Sequence, residues 1–289
     1  MLEAVEPWLK RLWSARGRIH LSVLERARLL PHLNLTAHAE VSGRVFRVPI
    51  TQGLGMRTVE TEPWMDRLIL RVINARPGSF VDVGANLGQT LLKLKAVAPQ
   101  TSYIGFEPNP RCYCYIGDVI ALNGLQDCKI YPFALGEAPA VVELFQSSAT
   151  DQAASVVEGF RPKEHYSSRQ FATVFPGDYV LSGAAHDEIS TIKIDVEGAE
   201  RDVIVGLTGT LDRHRPFIIC EVLPVYDEES SIGQFRLARQ QVIESFLRER
   251  RYSIYRVGAD GTLTKLETLG VHSDLGSCNY LFSPAERAL

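Results

Sequence analysis

The stretch that most constrains this chain is Phe80-Val-Asp-Val-Gly-Ala-Asn-Leu-Gly88, an apolar run that turns through glycines into a segment of helical spacing, Gln89 to Val97. Such a strand-to-helix turn lets a ligand approach bare backbone, and the helix N-terminus behind it presents unpaired N–H groups. It also commits the following chain to a βα series, with mostly parallel strands and helices on both faces of the sheet.

The rest of the sequence keeps that rhythm. Strands are predicted over residues 103–106, 129–133, 191–195, 217–221, 252–257 and 278–282, with an additional one over 141–145 and an edge hairpin near 262–267. Helices are predicted over 111–122, 199–207 and 234–248, the first ended by Asn123-Gly124. Upstream, Glu62-Pro-Trp opens a helix running to about Ala75, with Pro63 in its first turn, and residues 35–50 form a β-hairpin about a Gly-containing turn. Residues 1–55 are thus expected as a helical and hairpin extension, and 56–289 as one α/β domain. Residues 147–185 lack clear periodicity, and the segment is either a substrate-covering lid or an insertion without a catalytic role.

A dinucleotide fingerprint would place glycine at the second position of G-x-G-x-x-G, clearing room for pyrophosphate. Asn86 stands there, between Gly84 and Gly88, so the turn suits an adenosine ligand without phosphates, such as S-adenosylmethionine. Glu107 ends the next strand, where an acidic side chain accepts hydrogen bonds from a ribose diol. Asp82 is placed to hold polar ligand groups or to order the turn. Asn109, Ala134 and their neighbours lie at strand ends where an adenine would rest between apolar surfaces.

Lys193 and Asp195 sit inside an otherwise apolar strand, where unpaired charges are costly. Alternation puts both on one face, and Glu197 follows at the carboxyl end, where open α/β sheets bind ligands. They either contact substrate or cofactor directly, or form an ion pair, with Glu221 as a further partner, that stiffens the strands. Asp195 or Glu197 is the first candidate for a general base, with His165 in reserve and Lys193 orienting the acceptor or the carboxylate. Asp195, Glu197, Glu221 and Asn279 could offer oxygens to a divalent metal, a reading left open but not favoured. The seven histidines show no zinc-ligand grouping.

A net charge of -3 gives no electrostatic reason to expect nucleic acid. No run of eighteen apolar residues argues for a spanning helix. Five scattered cysteines and the absence of a leader-like N-terminus point to a reducing, cytoplasmic setting. Val5, Trp8, Leu9 and Leu12 share a helical face that could pack on the domain, pair subunits in a homo-oligomer, or touch a membrane surface weakly.

Taken together, Phe80 to Gly88, Gly105-Phe-Glu-Pro-Asn-Pro110, Ala134-Leu-Gly136, Ile192-Lys-Ile-Asp-Val-Glu-Gly-Ala-Glu200, Cys220-Glu221 and Asn279-Tyr-Leu-Phe282 resemble the FkbM-type S-adenosylmethionine-dependent methyltransferases. The resemblance implies a Rossmann-like class I fold, with a mostly parallel seven-stranded sheet of order 3-2-1-4-5-7-6 and an antiparallel last strand. It further implies an O-methyltransferase acting on a small-molecule or glycan acceptor. By it, Asp82, Gly84, Asn86 and Glu107 line the cofactor, and Asp195 and Glu197 lie near the transferred methyl. Where the family often carries Thr-Leu-Asp, this chain has Phe175-Pro-Gly-Asp178, so only the aspartate is carried over. A nicotinamide-dependent dehydrogenase and a cofactor-binding scaffold without turnover are the alternatives.

Overall fold

The computed structural model describes residues 34–51, 54–55, 62–146, 157, 168–183 and 188–287. The segment expected as an N-terminal helix and most of the 147–185 segment, including His165, lie outside the described residues.

The described chain begins with a hairpin of β1 (Asn34–Val41) and β2 (Arg44–Thr51), closed by Ser42 and Gly43, both at positive φ. Two consecutive left-handed residues match the twist of a tight hairpin. Helix α1 (Met65–Ala75) follows Pro63, which stands in the preceding turn rather than in the helix itself. Then come β3 (Ser79–Val83), α2 (Gln89–Val97), β4 (Tyr103–Phe106), α3 (Pro110–Asn123), β5 (Cys128–Tyr131), β6 (Ala134–Gly136) and β7 (Ala140–Gln146). After the central segment the order is β8 (Ser168–Pro176), α4 (Gly177–Gly183), β9 (Ile189–Ile194), α5 (Glu200–Gly206), α6 (Thr208–His214) and β10 (Phe217–Glu221). The long α7 (Ser231–Glu249), β11 (Tyr252–Val257), β12 (Leu263–Leu266) and β13 (Asn279–Pro284) complete it.

The main sheet runs β12-β11-β13-β10-β9-β3-β4-β5. It has eight strands, not seven, and is mixed: β5, β4, β3, β9 and β10 are parallel, whereas β13 is antiparallel to both β10 and β11. The eighth strand is β12, which pairs with the edge of β11 and satisfies backbone groups that would otherwise face solvent.

Apolar residues of β3, β4, β9 and β10 point alternately to two cores. One face packs Val81, Ile104, Ile192 and Ile218 against α4, α5, α6 and α7. The other packs Phe80, Tyr103, Phe217 and Ile219 against α1, α2 and α3. Burial on both sides is why these strands are nearly continuous apolar runs.

β7 departs from the predicted series. It joins β6 and β8 in a separate three-stranded sheet, antiparallel to β8. Residues 168–183, expected to lack regular structure, form β8 and α4. On β8, Ala172 and Val174 turn inward while Phe171 faces solvent, so hydrophobic patterning gave no clear period. The hairpin is docked on the domain: Phe46 and Val48 pack with Leu92 of α2 and Tyr115 and Val119 of α3. Asn123 exchanges two 2.7 Å hydrogen bonds with the Arg47 backbone, and the Tyr115 hydroxyl donates to the Pro49 carbonyl at 2.8 Å.

Candidate functional site

The carboxyl ends of β3, β4, β9 and β10 and the start of β13 open onto one cavity of about 370 Å³. This is the crevice in which open α/β sheets take their ligands, and its size suits a small-molecule site.

One side is the glycine turn. Gly84, Asn86 and Gly88 all have positive φ. A Cβ on Gly84 would lie 1.9 Å from the Asp195 carbonyl oxygen, so this glycine is demanded by the close approach of the chain leaving β9. Asn86 tolerates the left-handed region better than most residues, and its Oδ1 accepts the Leu87 N–H at 2.9 Å. Gly88 is the N-cap residue just before α2 and is not among the cavity-lining residues.

Glu107 joins this turn to the next. Its Oε2 accepts the Asn86 N–H at 2.8 Å and its Oε1 accepts the Asn109 N–H at 2.7 Å. Burial raises its carboxyl to about 7, against the opposing pull of those two hydrogen bonds. Each oxygen keeps a further lone pair for a ligand hydroxyl. Asn109 caps α3 by accepting the Arg111 N–H at 3.0 Å. Phe106, Ala134, Leu135 and Leu144 supply apolar wall beside the carboxylate. A buried two-oxygen acceptor next to an apolar slot fits the ribose and adenine of S-adenosylmethionine.

The opposite side is charged. Lys193 Nζ donates to Asp195 Oδ2 at 2.9 Å and faces Asp82 Oδ1 at 3.9 Å. Burial alone would lower the lysine, but the charges of Asp195 and Asp82 outweigh it and hold the ammonium above its ordinary range. Glu197 sits at φ 51 just past the strand, and Glu221 and Asn279 face each other in register on β10 and β13. Oxygens of Asp195, Glu197 and Glu221 lie within 4.8 Å of one another. Burial, then the charges of Asp195 and Glu197, push the Glu221 carboxyl up to about 9. Such a cluster favours a positively charged ligand, whether the cationic donor or a divalent ion.

The sequence-predicted residues divide. Gly84, Asn86, Glu107, Asn109, Ala134, Lys193, Asp195 and Glu197 line the cavity together. Asp82 does not: it is fully buried beneath the lining and accepts the Tyr103 hydroxyl at 2.7 Å. Asp178 caps α6 from outside, accepting the N–H groups of Gly209 and Thr210 at 2.6 and 2.7 Å, a structural role. Glu62 lines the cavity although sequence reasoning assigned it only to a helix start; its carbonyl accepts Lys93 Nζ at 3.1 Å. Gln89 and Thr90, at the head of α2, were missed as well. No local pattern marks these three, because their relevance comes from where α2 and the turn before α1 are packed.

Comparison with known proteins identifies the family. A family model described as the methyltransferase FkbM domain matches residues 82–254, more than half of the chain. The chain is 26% identical over 198 residues to the 2-O-methyltransferase NoeI of Sinorhizobium fredii (strain NBRC 101917 / NGR234), covering 63% of this chain and 77% of that one. It is 25% identical over 175 residues to Methyltransferase 1 of Beauveria bassiana (strain ARSEF 2860), covering 55% and 68%. Among solved structures, methyltransferase FkbM from Methylobacillus flagellatus KT aligns at 17% identity with a TM-score of 0.44, covering 71% of this chain and 43% of that longer one. The family match covers the glycine turn and the buried Glu107: the chain belongs to the FkbM methyltransferase family and is an S-adenosylmethionine-dependent methyltransferase.

Proposed function

We propose that this enzyme transfers the methyl group to a hydroxyl oxygen of a sugar, a glycan component or a small natural product. The observation that carries the reading is the Lys193–Asp195 pair, which lines the same cavity as Glu107 and the glycine turn. Bound S-adenosylmethionine supplies an electrophilic methyl on a cationic sulfur. Glu107 would hold the ribose diol, and the turn at Gly84 to Asn86 would place the donor's methionine end toward the carboxylates.

An alcohol is a weak nucleophile until it loses its proton. Asp195 is the candidate that removes it: Oδ2 is held by Lys193, leaving Oδ1 for the acceptor hydroxyl. Lys193 fixes the carboxylate's direction, which matters because in-line displacement depends on alignment. Glu197, Glu221 and Asn279 would bind neighbouring hydroxyls, which carboxylate and amide oxygens accept readily. NoeI is a 2-O-methyltransferase by name, which favours an oxygen acceptor here too. Among the described residues, no helix is long and apolar enough to cross a membrane.

The test is titration of S-adenosylhomocysteine by calorimetry, followed by mass-detected methyl transfer to a panel of methyl glycosides and simple alcohols. Product methylated at oxygen is the expected result. Product methylated only at nitrogen or carboxylate acceptors in a matching panel would overturn the hydroxyl assignment.

A further inference from the structure

Asp82 belongs to the Phe80–Gly88 glycine-turn motif, yet it does not line the cavity. Its surroundings explain what it does instead. Gly105, Asp82 and Lys193 are register partners across β4, β3 and β9, so their Cβ positions share one face of the sheet. Tyr103 precedes Gly105 by two residues and shares that face. Its ring lies over Gly105: a Cβ there would be 2.8 Å from the Tyr103 Cε1 and 2.9 Å from the hydroxyl. The missing side chain lets the phenol reach Asp82.

A line of contacts results. The Tyr103 hydroxyl donates to Asp82 Oδ2 at 2.7 Å; Asp82 Oδ1 accepts no hydrogen bond and faces Lys193 Nζ at 3.9 Å; Lys193 Nζ donates to Asp195 Oδ2 at 2.9 Å. Tyr103 and Asp82 are fully buried, and Lys193 nearly so. Two carboxylates therefore compete for one ammonium, and only Asp195 holds it by a hydrogen bond. At 3.9 Å the Asp82 contact is an attraction without a hydrogen bond. A hydrogen bond from a neutral phenol draws off part of a carboxylate's accepting capacity and fixes its orientation.

We propose that Tyr103, acting through Asp82, is a positioning residue that leaves Lys193 hydrogen-bonded to Asp195. Without the phenol hydroxyl, Asp82 Oδ2 loses its donor, and the carboxylate turns to take Lys193 for itself. The cavity-lining Asp195 then loses its orienting partner. The structural half of the proposal is independent of chemistry. Its consequence for turnover rests on the role given above to Asp195.

The test uses the full chain saturated with S-adenosylhomocysteine. Its first readout is the Lys193 ammonium signal in ¹H–¹⁵N spectra, assigned by its absence in Lys193→Arg. Tyr103→Phe is expected to shift that signal, while the affinity for S-adenosylhomocysteine stays within about twofold. Adding Asp82→Asn to Tyr103→Phe removes the competing charge and is expected to return the signal toward its original position. A packing defect would not be repaired by a second core substitution. Gly105→Ala, which displaces the ring instead of deleting the hydroxyl, provides an independent variant should Tyr103→Phe fold poorly. An unmoved Lys193 signal in the folded variants, or a shift that the double variant enlarges, overturns the proposal.

The second readout is transfer to methyl α-D-mannopyranoside and methyl α-L-rhamnopyranoside. Tyr103→Phe is expected to lower kcat about tenfold with the donor KM unchanged, less than the roughly 10²–10⁴-fold that a positioned base contributes, because the base is misdirected and not removed. A rise in donor KM at constant kcat would overturn the positioning role. Full transfer by Asp195→Asn with the signal shift intact would overturn the catalytic reading of Asp195, but not the coupling.

Discussion

The proposed donor side and the proposed acceptor side of the cavity are built on different terms. The donor side comes from two short loops, 84–88 and 106–109, stitched together by one carboxylate whose two oxygens take one backbone N–H from each loop. The acceptor side collects Glu62, Lys193, Asp195, Glu197, Glu221 and Asn279 from four separate places in the chain. The first is held by hydrogen bonds to backbone N–H groups; the second is held by charge, with Lys193 paired to Asp195 and Lys93 to Glu62. Substitutions on the two sides should therefore fail in different ways, one in donor affinity and the other in turnover.

The largest expected effect is on the acceptor side. Asp195→Asn should keep S-adenosylhomocysteine affinity within a few-fold while methyl transfer falls about 10³-fold, within the range for losing a positioned base. Calorimetry and single-turnover assays separate the two, and a matched loss of both would erase the distinction between the sides.

Gly84→Ala tests the place where the sides touch. Its Cβ would collide with the Asp195 carbonyl, and its φ of +87 disfavours any side chain. A loss of about 3 kcal/mol in denaturant unfolding is expected. Unchanged stability would show that β9 can move away from the turn.

Glu107→Gln probes the donor side alone. The amide keeps one acceptor but turns an NH₂ toward one of two backbone donors, leaving a buried N–H unpaired. About 2 kcal/mol, or roughly 30-fold in S-adenosylhomocysteine affinity, should be lost. Equal affinity would mean that the ribose is held elsewhere.

The smallest effect concerns Glu200, whose Oε1 accepts the Gly198 N–H at 2.8 Å and so shapes the turn carrying Glu197. Burial raises its carboxyl to about 7 from an ordinary 4.5. A group raised in the folded state stabilises fully below its unfolded value, and that contribution is lost as pH rises through the folded value. Between pH 6 and 8 the native protein should lose about 1.4 kcal/mol from this group, a loss that Glu200→Gln escapes. Melting curves of the two proteins should diverge as pH rises, with the variant gaining; parallel curves would mean that Glu200 is already solvated.

Legibility followed the physics of each part. α2, β4, β10 and β11 have the bounds that their periodicity predicts, because each buries a long face against the sheet or its helices. β6 and β8 were not recognised, since three residues give no period and β8 turns an aromatic outward. Lys95 is another case: it is almost wholly buried, and its ammonium donates to the carbonyls of Pro99, Thr101 and Gln126 at 3.3, 2.7 and 2.8 Å. Nothing in a helix of otherwise ordinary spacing distinguishes such a lysine from an exposed one, because the three carbonyls come from two loops.

The glycine turn, its asparagine and Glu107 were determined by the sequence itself, since backbone conformation and a strand-to-helix junction are local properties. Which charge faces the cavity was decided by tertiary structure alone. Asp82 and Asp195 are both aspartates on adjacent strand ends, and only the packing of Tyr103 over Gly105 and the register of β3 against β9 place one beneath the cavity and the other on its wall. That assignment depends on distances between chain segments far apart in sequence, which no local pattern encodes.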